Sequence, residues 1–127
     1  MNILRRDDLE KLPLPGRVIQ KAVGADGASI SGKMTVGFGR YSAESGPMTP
    51  HRHAEETVLI LDAREGTVRF GPSPDRLDQT AGLEPGTVLH IPDMEWHVFE
   101  YAPGGHVDIA FYYAQVDNIR PEQDDAS

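Results

Sequence analysis

A chain of 127 residues with a formal charge of −8 fits one domain and is long enough to hold a core without staples. The absence of cysteine excludes disulfides, zinc–thiolate sites and a thiol nucleophile. An acidic balance repels phosphate backbones, so nucleic acid is not an expected partner.

The N-terminus "MNILRRDDLEKL" carries charges where a signal peptide needs an apolar run. The longest aliphatic run, Val58 to Leu61, is far too short to span a bilayer. The chain therefore reads as soluble and cytoplasmic, with no membrane partner. Residues 1–25 form an expected N-terminal arm: at most one helical turn fits before Pro13 and Pro15 stop it, and "RVIQKAV" follows as an extended segment. "ADGAS" is a turn. From residue 30 to 40 the sequence alternates, with Ile30, Met34, Val36, Phe38 and Arg40 on one parity and Ser31, Lys33, Thr35, Gly37 and Gly39 on the other. Period two marks a strand, and the apolar parity is the face expected to be buried. "SAESGPMTP" is a loop.

"TVLILDA" is a strand apolar on both faces, expected to be well buried. "TVRFG" alternates again, and "PSPDRLDQTAG" is a polar loop. "GTVLHIP", "WHVFEY" and "HVDIAFYYAQV" are three further strands, with turns expected at "PDME" and "APGG". Residues 117–127 have almost nothing apolar to bury and are expected to be a flexible tail. Thirteen glycines and ten prolines, short strands and no long helical period give an all-β chain of sandwich or barrel type.

One stretch stands out. "PHRHAEE", residues 50–56, holds two histidines one residue apart, followed by two glutamates. In an extended segment residues i and i+2 share a side, so His51 and His53 project together and Arg52 faces away. Two imidazoles on one face make half a site for a divalent metal, and Glu55 or Glu56 can add a carboxylate. Taken alone, such a pair is as often a solvated loop. A second stretch, "PGTVLHIPDMEWHVFEY", places Gly86, Pro92 and His97 in order.

Together the two stretches resemble the paired motifs of the cupin superfamily, over about residues 30 to 115. Gly46, His51, His53 and Glu56 align with the first motif, with the gap before the glutamate shortened. Gly86, Pro92 and His97 align with the second, where Met94 occupies the inner glycine position and Tyr101 the asparagine position. The resemblance implies a single double-stranded β-helix, a jelly-roll barrel over residues 30–115. It also implies one divalent metal ion held by His51, His53, Glu56 and His97. Three imidazoles and one carboxylate suit Fe, Mn, Ni or Zn.

Other residues are weaker candidates. Arg40 shares its strand's apolar parity and is a candidate to pair a substrate carboxylate, although a strand-end arginine more often reaches solvent. Phe99 and Tyr101 share the parity of His97, and Tyr112 lies on the last strand; all three are candidate pocket walls. His90, His106 and Trp96 read as structural residues. No catalytic residue beyond the ligands is identifiable. The resemblance implies a metalloenzyme acting on a small organic substrate, of dioxygenase or isomerase/lyase type, and a homodimer to which residues 1–25 can contribute. A non-catalytic barrel that captures a sugar or organic acid is the alternative, and a metal-containing structural subunit ranks third. A barrel fold alone does not decide among them.

Overall fold

The computed structural model describes residues 1–116; the expected tail at 117–127 lies outside them. A short 3-10 turn, Arg6–Asp8, precedes eight strands: β1 Leu12–Leu14, β2 Arg17–Gly24, β3 Ser29–Ile30, β4 Thr35–Ser42, β5 Glu56–Gly71, β6 Gln79–Gly82, β7 Val88–Ile91 and β8 Trp96–Tyr113. They join in the order β1-β2-β4-β8-β5-β6, with β3 added to β2 and β7 added to β5. Every pairing except β2 with β3 is antiparallel. The all-β jelly-roll expectation describes this architecture.

β5 and β8 form the spine. They pair along nearly their whole length, from Thr57 opposite Tyr112 to Gly71 opposite Trp96. The expected turn at "APGG" is instead part of β8, and the two strands bend together at bulges near Ile60–Asp62 and Arg64–Gly66. Glycine makes this bend possible: a Cβ at Gly105 would strike the Arg64 carbonyl, and one at Gly66 would strike the Val107 side chain. The strands' inner residues supply the core, including Val58, Ile60, Val68, Val107, Ile109 and Phe111. Burial of each such side chain stabilises the fold by roughly 1.5–3 kcal/mol.

Two sequence expectations are corrected here. On β4 the buried residues are Gly37, Gly39 and Tyr41, while Arg40 is exposed. Met34 and Ile30 are exposed as well. The inward positions are glycines because the barrel is filled there from opposite: a Cβ at Gly37 would lie 2.6 Å from the Phe111 ring and 2.5 Å from the Gln20 carbonyl. Phe38, on the outer face, is covered by the N-terminal segment, with the Arg6 guanidinium 4.7 Å above its ring. On β5 only one face is buried. Leu59 and Leu61 point outward and are 39% and 36% exposed.

Residues 1–25, expected as an arm, are joined to their own barrel. β1 and β2 are strands of the sheet, and β2 pairs with β4. Arg6 grips Asp108 on β8 through two bonds of 2.6 and 2.7 Å, and its Nε donates to Gln20 at 3.1 Å. Asp108 in turn raises the already high pKa of the Arg6 guanidinium. Among the described residues no helix is long and apolar enough to cross a membrane.

Candidate metal centre

The loop from Gly46 to Glu55 carries the first two histidines to the barrel. It starts at Gly46, whose φ of +80° suits glycine, and the Tyr101 hydroxyl donates to the Gly46 carbonyl at 3.2 Å. It then runs alongside the start of β8. His51 N donates to His97 O at 3.0 Å, and His97 N donates to His51 O at 2.9 Å. Met94 N donates to His53 O at 2.9 Å. Met94 itself has a φ of +68°, so the residue in the inner glycine position keeps a conformation that favours glycine.

Alternation along this loop turns His51 and His53 inward, each 3% exposed, while Arg52 stacks on the outer side over Trp96 at 4.9 Å. His97 is 1% exposed. The three ring centroids stand 4.4, 4.8 and 5.5 Å apart. One ring nitrogen from each histidine falls within 4.8 Å of the others, a spacing that can hold a metal ion. Glu56, the first residue of β5, is also buried, with Oε1 3.4 Å from His53 Nε2. Glu55 points the other way and pairs with exposed His90 at 2.5 Å.

Each inner histidine is oriented by backbone. His51 Nδ1 lies 3.2 Å from Thr49 O, His53 Nδ1 lies 2.8 Å from Ala54 O, and His97 Nδ1 lies 2.9 Å from Glu95 O. A carbonyl only accepts, so in each contact Nδ1 is the donor and carries a proton. In the neutral ring Nε2 then presents a lone pair. Three such lone pairs beside a carboxylate oxygen form a donor set that a divalent cation satisfies, and Nδ1–H bonds to carbonyls are the usual outer support of a ligating imidazole. The residues present therefore fit a metal.

These side chains line a cavity of about 450 Å³ together with Tyr41, Phe99, Phe111 and Tyr113. His53 packs edge-on against Tyr113 at 5.3 Å, and Tyr41 packs on Phe99 at 4.8 Å. Of the weaker candidates, Phe99 lines this cavity. Tyr101 lines a separate one of about 350 Å³ with Met48 and Pro47. Arg40 and Tyr112 sit on the outer face, since the inward parity of their strands belongs to Tyr41, Phe111 and Tyr113. The sequence reading missed Tyr41, Phe111 and Tyr113 as cavity walls. The signal was the odd parity of the last strand, which becomes readable only once its register with β4 is known.

No protein-family model and no curated protein matches the sequence. Solved structures do match. RemF, a polyketide cyclase from Streptomyces resistomycificus, superposes with a TM-score of 0.70 and 23% identity over 95% of this chain and 82% of its own. The Fe(II) form of HppE with an alternative substrate gives 0.63 and 14% over 88% of this chain and 59% of that one. A variant of Bacillus subtilis oxalate decarboxylase OxdC gives 0.69 and 13% over 92% of this chain and 30% of its own. The shared element is the jelly-roll barrel. By its strand order and these neighbours, the chain is a cupin-fold protein.

Proposed function

We propose that this protein is a metal-dependent enzyme acting on a small organic substrate, with His51, His53, His97 and Glu56 holding one divalent ion of the Fe, Mn, Ni or Zn group. The observation that carries the reading is the convergence of three buried histidines whose Nδ1 atoms each face a backbone carbonyl. Neighbours in fold named as a cyclase, an Fe(II)-bound enzyme and a decarboxylase support a catalytic reading over a passive barrel. When bound, such an ion supplies Lewis acidity or redox chemistry to a coordinated oxygen group.

The chain's own residues do the rest. Glu56 sets one negative charge among three neutral ligands, so the site keeps net positive charge toward an anionic or enolic oxygen. Tyr41, Phe99, Phe111 and Tyr113 exclude water and hold a flat substrate body by its faces. Elemental analysis of untagged protein purified without added metal tests the proposal. About one ion per chain is expected. Protein that is metal-free and takes up none of the four ions on dialysis would remove the centre.

We further propose a homodimer that packs through the outer face of β7, β5 and β8. Cross-strand register places Val88, Leu59 and Ala110 in one row and His90, Thr57 and Tyr112 in the next. Val88 is 61% and Tyr112 41% exposed, and with Leu59 they make an apolar strip, bordered by His90 and Thr57, that a second copy would cover. Light scattering should give twice the chain mass, and Leu59→Glu should return it to one.

A further inference from the structure

The loop that delivers His51 and His53 meets β8 at an antiparallel bridge between His51 and His97. One position further along, that register sets Arg52 directly opposite Trp96. Alternation turns the histidine pair inward and the Arg52–Trp96 pair outward. Ligands and outer pair are thus two faces of one joint. On the outer face the guanidinium carbon of Arg52 stands 4.9 Å from the Trp96 ring centre, within cation–π range, and both side chains are half-buried. A planar guanidinium can lie flat on an indole.

The joint sets the spacing of the donors. Across it the rings of His51 and His97 stand 4.4 Å apart. The loop is held there by the paired backbone bonds of His51 and His97 and by Met94 N donating to His53 O at 2.9 Å. A bridge this short is a small piece of ladder, so a side-chain pair directly across it adds to what keeps it closed. An ion binds most tightly when its donors already stand at the ligating distance.

We propose that Arg52 and Trp96 are positioning residues of the metal centre: their stack clamps the ligand loop to β8 from outside and holds His51 and His53 at ligating distance from His97. The proposal rests on the metal-dependent reading above and adds the device that preorganises its ligands. Charge gives the proposal a distinctive sign. Removing a positive charge from the neighbourhood of a cation site would by itself tighten the ion. A weaker site after Arg52 is replaced by alanine therefore reports lost positioning and not lost charge.

The probe is zinc, which is redox-inert, and its affinity is read by competition with a chelator. The variants are Arg52→Ala, Arg52→Lys, Trp96→Leu and the double variant Arg52→Ala/Trp96→Leu. Arg52→Ala and Trp96→Leu should each weaken zinc binding about fivefold, and Arg52→Lys, which keeps a cation over the ring, by less than about twofold. The double variant should be no weaker than either single, because both remove the same contact. Unchanged or tighter binding in Arg52→Ala, a lysine variant as weak as alanine, or single losses that multiply to about twenty-five-fold in the double variant overturns the proposal. Should Trp96→Leu fail to fold, the two Arg52 variants decide alone. Wild type that holds no zinc overturns the metal reading instead. The clamp is then decided by amide hydrogen exchange in the metal-free protein. Exchange at His51 and His97 that speeds at least about twofold in Arg52→Ala, with the amide of buried Ile109 unchanged, upholds it, and any other result rejects it.

Discussion

The five histidines of this chain divide into two groups that teach different lessons. His51, His53 and His97 are buried and tied by Nδ1 to backbone carbonyls. His90 and His106 lie nearer the surface and turn Nε2 to a carboxylate, Glu55 at 2.5 Å and Asp62 at 2.7 Å. The first arrangement fixes where a proton sits and points a lone pair inward. The second makes a hydrogen-bonded pair with an exposed carboxylate, worth little to stability. Ring chemistry is the same in both, so burial and the nature of the partner decide whether a histidine belongs to a site. The adjacent glutamates repeat the contrast: alternation sends Glu56 to the inner group and Glu55 to the outer.

That contrast can be broken most strongly at His97. His97→Ala should lower metal affinity by at least about a hundredfold, beyond the range for an outer-shell partner, with the far-ultraviolet circular dichroism of the barrel retained. His90→Ala should leave metal affinity alone; equal losses in both would erase the distinction. A smaller effect separates the two carboxylates. Glu56→Gln should weaken metal binding about tenfold and Glu55→Gln by less than about twofold, read by competition with a chelator. The reverse order would move the fourth ligand to Glu55.

The smallest effect concerns the outer group alone. The hydrogen bond from His106 depresses the Asp62 carboxyl below its ordinary range. A depressed carboxylate adds stability above its unfolded pKa of about 3.9 and loses it as pH falls through the folded value. The Asp62 carboxyl carbon, followed by NMR, should therefore titrate below about 3.9 and rise toward it in His106→Ala. An unchanged midpoint in the variant would mean the pair does not form in solution.

The histidine pair and the spaced Gly86, Pro92 and His97 made the fold legible through their resemblance to known paired motifs, and strand alternation, a local property, placed His51 and His53 on one side. What stayed hidden was non-local. Parity on β4 pointed the wrong way because its inward residues are Gly37 and Gly39, which look like the empty face until Phe111 is known to fill the space. The same holds for Arg6, whose partner Asp108 lies at the other end of the chain. The outward face of β5 was misread as buried because hydrophobicity alone does not say whether anything covers Leu59 and Leu61.

The two backbone hydrogen bonds that His51 and His97 exchange have a consequence for folding. They join segments far apart in sequence, so the donor cluster does not exist in an unfolded chain. An ion held there recognises only the native state and stabilises it by mass action, by about 2.7 kcal/mol at a hundred times its dissociation constant. Removing it would leave the backbone bridge intact. The loss would show as a lower melting temperature, while the shape of the barrel stayed the same.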